Sequence, residues 1–205
     1  MENKMKKLSE IYNIILNQPE ELWGRKYGTK VRNSAGEMTD KGTIHSYIPE
    51  YEKLFKERRL DVTNVLEIGI GHGGSIKLWN DYFPSATIHA INIKSPNQPP
   101  HWFSDFMRIT SYIQDAYTLD TLKLFKDIPL DIIIDDGPHT IETQMYAAQY
   151  YTKLLKKGGI LVIEDVLGTN IEPIINKFDD KRKARYIDLR HYKGRNDDIL
   201  IIYEN

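Results

Sequence analysis

Residues 65–75 read VLEIGIGHGGS, an apolar run that passes into a loop with four glycines. A helix-like stretch, SIKLWNDYF, follows directly. The same alternation continues along the chain through four more short apolar runs, at TIHAINI (87–93), DFMRIT (105–110), DIIID (131–135) and GILVIED (159–165). Strands that alternate with helices need crossover connections, which produce a parallel sheet with helices on both faces. The sequence therefore predicts a doubly wound, Rossmann-like α/β fold with a mostly parallel sheet.

The C-terminal end departs from this alternation. ARYIDLR (184–190) and DILIIYE (198–204) are rich in strand-forming residues and are joined by the polar stretch HYKGRND, with no helix expected between them. Neighbouring runs of this kind indicate an antiparallel hairpin. We expect this hairpin to extend the parallel sheet at its C-terminal side.

The part of the chain before residue 61 is expected to contain two helices and an irregular loop. Apolar residues at helical spacing predict helices at residues 8–16 and about 47–59. Between them, residues 24–43 are rich in glycine, serine, threonine and charge, which is typical of a loop. We expect residues 1–60 to supply N-terminal helices and a lid loop, and residues 61–205 to form the cofactor-binding core of the same domain.

The composition narrows the classes of function. The chain has 205 residues, a formal net charge of −1 and no cysteine. A charge near zero gives no electrostatic basis for binding nucleic acid or an anionic membrane, and no apolar run approaches the ~20 residues of a membrane span. The lack of cysteine excludes disulfides, thiolate metal sites and a thiol nucleophile. Since MENKMKKLSE has no apolar h-region, we expect no signal peptide and a cytoplasmic location.

The glycine loop stands at the carboxyl end of a predicted strand, where open α/β sheets bind ligands. Glycines there allow a tight turn and a close approach of the backbone to a ligand. The spacing G-x-G-x-G-G, with Glu67 two residues before the loop, differs from the nicotinamide fingerprint G-x-G-x-x-G. A strand-to-helix turn that binds nothing is the structural alternative.

The pattern E-x-G-x-G-x-G-G resembles the first motif of class I S-adenosylmethionine-dependent methyltransferases. In that family the loop wraps the amino acid and ribose portions of the cofactor. The resemblance therefore implies a cofactor site that includes Glu67, Gly69, Gly71 and Ser75.

Two further positions correspond to cofactor contacts of that family. Asn92 stands at the end of the second predicted strand, where relatives usually carry an acid for the ribose hydroxyls. An amide oxygen can accept from one hydroxyl but loses the charge-assisted part of the contact. Asp115 resembles the acid that meets the adenine amino group, and a solvated helix cap is its structural alternative.

Acidic residues follow the fourth and the fifth predicted strand. Asp135 and Asp136 begin the stretch DDGPH, which ends at His139, and Glu164 and Asp165 close the next apolar run. Neighbouring parallel strands would bring these carboxylates into one crevice, at high cost unless a cation neutralises them. Carboxylate oxygens suit Mg²⁺ or a similar hard cation, and an imidazole beside it can serve as a general base. Helix caps and an Asp-Gly turn are the structural alternative.

Several stretches together resemble the macrocin O-methyltransferase family, which includes metal-dependent macrolide-sugar methyltransferases and cephalosporin-hydroxylase-like proteins. These stretches are KYGT, TDKGTIHSYIPEYE, VLEIGIGHGGSIKLWNDYFP, DIIIDDGPHT, GGILVIEDV and GRNDDILIIY. The resemblance implies that Asp136, Glu164 and Asp165 bind the metal. It also implies that His139 is the catalytic base that deprotonates the acceptor hydroxyl.

The same resemblance places Asp135 near the sulfonium end of the cofactor. It makes the region Tyr27–Tyr47 a lid over cofactor and substrate. Residues 30–38, KVRNSAGEM, interrupt an element that reads as a continuous YGTDKG in relatives. This interruption and Asn92 are departures from the family pattern.

The predicted function is methyl transfer from S-adenosylmethionine to a hydroxyl of a sugar, glycoside or similar polyol, with Mg²⁺ or a similar divalent cation. The expected partner is a small-molecule acceptor, without nucleic acid or membrane, and a homo-oligomer is compatible with the sequence. Two alternatives stay open. One is a metal-independent small-molecule methyltransferase in which Glu164 and Asp165 are structural, and the other is a degenerate cofactor-binding module without catalysis.

Overall fold

The computed structural model describes residues 5–17, 39–71, 73–93 and 106–205. Its strands are β1 (Asn64–Ile68), β2 (Thr87–Asn92), β3 (Ile109–Ile113), β4 (Leu130–Asp135), β5 (Leu155–Ile163), β6 (Ala184–Asp188) and β7 (Ile199–Glu204). They form one seven-stranded sheet in the order β3-β2-β1-β4-β5-β7-β6. The first five strands are parallel, whereas β7 pairs antiparallel with both β5 and β6. The predicted mostly parallel sheet with a C-terminal antiparallel hairpin is confirmed.

Helices cover both faces of this sheet. They are α1 (Leu8–Leu16), α2 (Ile48–Phe55), α3 (Gly74–Tyr82), α4 (Leu119–Leu124), α5 (Ile141–Tyr150), α6 (Ile171–Ile175) and α7 (Arg190–Lys193). Single 3-10 turns lie at Tyr151–Leu154, Gly168–Asn170 and Lys181–Lys183. None of the helices in the described ranges has the length and apolarity that crossing a membrane requires.

Several sequence-based expectations differ from the structure. The fifth strand begins at Leu155 and not at residue 159. The second helix ends at Phe55 and not near residue 59. The third strand begins at Ile109 and not at residue 105, which lies outside the described residues. Its position is set by pairing with β2, and local apolar content does not reveal such pairing. The expectation of a helix-free connection between the last two strands is wrong, since α7 occupies part of it and is too short to show a period.

The core consists of two apolar layers because successive strand residues point to opposite faces of the sheet. On β1, Val65 belongs to the layer that packs against α1, α2 and α3. Its neighbour Leu66 belongs to the layer formed with α5 and α6. Tyr51 and Trp79 pack in the first layer with ring centroids 5.1 Å apart. Helices on both faces, as predicted, follow from strands that are apolar on both sides.

Strand register places the candidate residues at one edge of the sheet. Ile68 of β1 pairs with Ile91 of β2 and with Asp135 of β4, and Asp135 pairs with Ile163 of β5. The ladder continues one residue further, because the Asp136 amide donates to the Ile68 carbonyl at 2.9 Å and the Glu164 amide donates to the Asp135 carbonyl at 3.0 Å. Chain order reverses between β1 and β4, which is the position where open α/β sheets form a ligand crevice.

Candidate active site

Two carboxylates and an imidazole meet at the carboxyl edge of β4 and β5. One ligand atom each from Asp136, His139 and Asp165 lies within 4.8 Å of the others. The His139 Nε2 atom is 3.7 Å from Asp136 Oδ1 and 3.6 Å from Asp165 Oδ2. All three side chains are partly exposed, so a small molecule can reach them. The structure thus brings together two of the predicted metal ligands and the predicted base.

The backbone at this edge is held in an uncommon conformation. His139 has a φ of 57° and Asp165 a φ of 54°, both in the left-handed region that side-chain-bearing residues seldom occupy. Such conformations cost of order 1–3 kcal/mol each and persist where the surrounding structure enforces them, often at functional sites. At both positions this turn carries the side chain toward the shared acidic edge.

Glu164 faces the interior, whereas its neighbour Asp165 faces the edge. Both Glu164 oxygens accept from the Lys41 ammonium, at 2.7 and 2.6 Å, and one of them also accepts from the Tyr51 hydroxyl. The same ammonium donates to Asp136 Oδ2 at 2.7 Å and lies 3.4 Å from Glu67 Oε1. Lys41 therefore joins three carboxylates at the carboxyl ends of β1, β4 and β5.

Lys41 was not among the residues singled out from the sequence. It lies in the TDKGT stretch, and its side chain is 1% exposed. Buried acids require a countercharge, so the predicted convergence of carboxylates was the signal for a lysine or arginine. The sequence offers 28 such residues, and spacing alone does not select one of them.

Two aromatic residues beside Lys41 hold Asp165. The Tyr47 hydroxyl donates to Asp165 Oδ1 at 2.7 Å and accepts from the Asp165 amide at 3.2 Å. The His45 ring stacks on Tyr47 at 4.7 Å, with Nδ1 3.5 Å from Asp165 Oδ1 and 3.3 Å from Asp198 Oδ1. Of the expected lid Tyr27–Tyr47, residues 27–38 lie outside the described residues, and residues 39–47 supply these contacts.

Burial and charge shift the acidity of the buried groups. Burial raises the pKa of Glu67 to about 7 and the pKa of Asp135 to about 7, since the charged carboxylate is desolvated. Burial also raises the pKa of Glu164, with repulsion from Asp136 adding to it. For Lys41, burial acts to lower the pKa, but attraction to the surrounding carboxylates outweighs it and raises the pKa well above its ordinary value.

The donor set fits a hard divalent cation. Carboxylate oxygens are the ligands that Mg²⁺ and Mn²⁺ prefer, and the adjacent imidazole of His139 is left free to act as a base. Lys41 brings a single positive charge to the three carboxylates that it contacts, Glu67, Asp136 and Glu164. When these groups are ionised, the edge keeps an excess of negative charge that a divalent cation would neutralise.

A cavity of about 370 Å³ opens beside this edge, between β1, β2 and β4. Among the predicted cofactor residues, its lining includes Gly69, Gly71, Asn92 and Asp115. Its position and size suit an elongated ligand that lies across the strand ends.

The remaining predicted cofactor residues are buried beneath the cavity or beside it. Glu67 accepts from the Trp79 indole at 2.8 Å, and the Ser75 side chain on the first turn of α3 acts to lower the pKa of Glu67. Asp135 accepts from the Tyr117 hydroxyl at 2.6 Å through Oδ1, while its buried Oδ2 has no hydrogen-bond partner within the described residues. Tyr117 lines the cavity. The unpaired Oδ2 atom of Asp135, whose other oxygen binds Tyr117, is therefore consistent with a site that receives a polar ligand.

Gly69 provides a first test of the loop geometry. Its φ is +93°, and an added Cβ would lie 1.9 Å from the Asp136 carbonyl oxygen. A left-handed conformation costs a non-glycine residue about 1–2 kcal/mol. Because of the added clash, we expect Gly69→Ala to lower the free energy of unfolding by more than this amount. Gly158→Ala is the matched control, because Gly158 has a φ of +76° and nothing within 4 Å of an added Cβ. Denaturant unfolding measures both variants, and equal losses would contradict the predicted clash.

Comparison with known proteins finds that the chain is similar to several methyltransferases. No protein-family model matches the chain. The chain is 31% identical over 134 residues to demethylmacrocin O-methyltransferase from Streptomyces fradiae. That alignment covers 61% of this chain and 33% of the relative. The chain is also 29% identical over 157 residues to 8-demethyl-8-alpha-L-rhamnosyl tetracenomycin-C 2'-O-methyltransferase from Streptomyces olivaceus. This second alignment covers 71% of this chain and 40% of the relative.

A solved structure shows the same fold. The MycE methyltransferase from the mycinamycin biosynthetic pathway, in complex with Mg, SAH and mycinamycin VI, aligns with a TM-score of 0.57 and 26% identity. The alignment covers 79% of this chain and 38% of that chain. The matched region is therefore well under half the length of each of these three relatives. The chain is related to the demethylmacrocin O-methyltransferase family and has the fold of the class I S-adenosylmethionine-dependent methyltransferases.

Proposed function

We propose that the chain is an S-adenosylmethionine-dependent O-methyltransferase that uses a divalent cation and acts on a hydroxyl of a sugar, glycoside or similar polyol. The observation that carries this proposal is the position of His139, whose Nε2 atom lies between Asp136 and Asp165. An imidazole flanked by two partly exposed carboxylates can accept a proton, and the carboxylates stabilise the resulting charge.

The glycine loop and the strand ends next to it are the proposed cofactor site. Gly69 and Gly71 would let the cofactor lie close to the backbone, and Asn92 and Asp115 would meet its ribose and adenine. Asp135 would lie near the sulfonium end, and Glu67 and Ser75 support the loop from below. When bound, the cofactor supplies the methyl group, which passes to the acceptor oxygen as its bond to sulfur breaks.

Asp136 and Asp165 are the proposed metal ligands at the edge, together with Glu164 on the basis of the resemblance. A bound divalent cation would make an acceptor hydroxyl more acidic. Asp136 and Asp165 would hold that cation at the edge, and His139 would take the hydroxyl proton at Nε2 as the acceptor oxygen attacks. Holding the reacting groups in place supplies much of the acceleration.

The sugar acceptor is supported by the relatives. The Streptomyces olivaceus protein is named for 2'-O-methylation of a rhamnosyl tetracenomycin, and the MycE structure contains mycinamycin VI. For this chain we propose the same class of acceptor, with residues 1–60 covering the site and residues 61–205 forming the core. A cytoplasmic location and a homo-oligomer stay predictions of the sequence.

The test measures S-adenosylhomocysteine by mass spectrometry when the protein is incubated with S-adenosylmethionine, Mg²⁺ and a panel of deoxysugar glycosides. We expect product with at least one glycoside, loss of product with EDTA, and its recovery with excess Mg²⁺. Turnover that EDTA leaves unchanged would contradict the metal dependence. No measurable affinity for S-adenosylmethionine in equilibrium dialysis would overturn the whole proposal and favour a non-catalytic module.

One observation favours a second candidate function, a metal-independent methyltransferase. Lys41 already provides a positive charge to Asp136 and Glu164, at 2.7 and 2.6 Å. In that case Glu164 is a structural partner of the lysine, and His139 acts without a metal. The EDTA experiment separates the two functions directly.

A further inference from the structure

The Lys41 ammonium directs its hydrogen bonds to two of the proposed metal ligands. It donates to Asp136 Oδ2 at 2.7 Å and to both oxygens of Glu164, at 2.7 and 2.6 Å. Lys41 and Glu164 are each 1% exposed, so neither charge is screened by water. Lysine has three ammonium protons, and these three contacts account for all of them.

This arrangement separates the two adjacent acids that follow β5. Asp165 Oδ2 lies at the partly exposed edge with Asp136 and His139, within the set of atoms that could hold an ion. Glu164 is absent from that set, and its oxygens instead accept from the lysine and the Tyr51 hydroxyl. Glu164 can reach a cation only after the ammonium has left it.

We propose that Lys41 is an internal competitor of the divalent cation: its contacts with Asp136 and Glu164 exclude metal ligation by Glu164, so that Lys41 sets the metal affinity of the site. The inference rests on the proposed metal dependence. Two cations that share the same carboxylates repel each other, most strongly where water is excluded. Ligation of the metal by Glu164 therefore requires the ammonium to withdraw, and Lys41 is a positioning residue that acts through Glu164.

The backbone around Lys41 is anchored, so the exchange needs only the side chain to move. The Lys193 ammonium of α7 donates to the carbonyls of Gly42, Thr43 and His45, at 2.8, 2.7 and 2.6 Å. The Tyr47 amide donates to the Lys41 carbonyl at 3.0 Å. A lysine side chain has a flexible four-carbon stem, which allows the ammonium to leave Glu164 while the main chain stays in place.

The experiment is a double-mutant cycle on metal affinity, measured by Mn²⁺ titration with electron paramagnetic resonance, with no acceptor or turnover involved. We expect Lys41→Met to bind Mn²⁺ about tenfold more tightly or better than the wild type, because a competing charge is gone. In the Glu164→Gln background the same lysine substitution should give a smaller gain, since the withheld ligand is missing and only the competition at Asp136 is relieved. Lys53→Met, an exposed lysine of α2, is the matched control and should leave the affinity unchanged.

Circular dichroism checks that each variant folds, since loss of one partner of a buried ion pair is destabilising. A folded Lys41→Met variant with equal or weaker Mn²⁺ affinity than the wild type would overturn the inference. So would the same gain in both backgrounds. If the wild type and all variants take up no Mn²⁺, the metal dependence of the proposed function fails as well, which distinguishes the two failures.

A measurement on the wild-type chain covers the case in which Lys41→Met does not fold. A small amine-reactive reagent followed by peptide mass spectrometry reports how accessible Lys41 is, and saturating Mg²⁺ should increase its labelling. Lys53 is the internal control, because it is exposed and pairs with Glu50 of its own helix, and its labelling should stay constant. Unchanged or reduced labelling of Lys41 with Mg²⁺ would contradict the proposed exchange.

Discussion

Replacement of His139 with alanine is expected to lower the rate of methyl transfer by about 10²- to 10⁴-fold, the range that a positioned general base contributes. The Nε2 atom of His139 lies 3.6 Å from Asp165 and 3.7 Å from Asp136, at the edge where an acceptor would enter. Alanine removes the proton acceptor. Affinity for S-adenosylmethionine should be unchanged, because His139 lies outside the lining of the cofactor cavity.

Two measurements separate these effects, the rate of S-adenosylhomocysteine formation and an equilibrium titration with the cofactor. His191→Ala is the matched control, since His191 is exposed on α7 and should keep the full rate. An unchanged rate in His139→Ala would exclude the general-base role. A parallel loss of cofactor affinity would instead indicate that His139 supports the glycine loop.

Asp136→Asn is expected to abolish the response of the enzyme to Mg²⁺. Loss of a residue that only supports a metal ligand lowers metal affinity by about 10- to 100-fold. Asp136→Asn removes a proposed direct ligand, so the affinity for a divalent cation should fall by more than this. Asparagine has nearly the same shape, and the amide of residue 136 still donates to the Ile68 carbonyl. The sheet edge should therefore stay intact while the charge is lost.

Calorimetric titration with Mg²⁺ measures the affinity, and activity over a range of Mg²⁺ concentrations measures the response. Asp120→Asn makes the same chemical change at an exposed acid of α4 that pairs with Lys123, and it should alter neither quantity. An Asp136→Asn enzyme that binds Mg²⁺ as tightly as the wild type would show that this carboxylate is not a ligand.

The sheet was predictable because its strands are encoded locally. The run Ile132–Ile134 is apolar without alternation, which is typical of a parallel strand that is covered on both faces. The glycines after β1 indicated a tight turn, and Gly69 does adopt a positive φ. Boundaries were less predictable, since β3 starts where Ile109 meets Ile88 of β2, and pairing between strands is not a local property.

The position of the acidic edge was predictable for the same reason. Residues that directly follow neighbouring parallel strands lie at one edge of the sheet, so Asp136 and Asp165 were expected to be near each other, as the structure shows. The roles assigned to Asp136, His139 and Asp165 stay predictions until the variants are measured.

The amino-acid pattern alone was enough to predict a doubly wound sheet, a glycine loop and carboxylates that follow β4 and β5. Only the tertiary structure decided that Glu164 turns inward to Lys41 while Asp165 turns to the edge. The physical reason is that side-chain direction after a strand depends on the backbone turn at Asp165, at a φ of 54°, and on partners far away in sequence. Lys41 is 123 residues from Glu164, and no local spacing records such a contact.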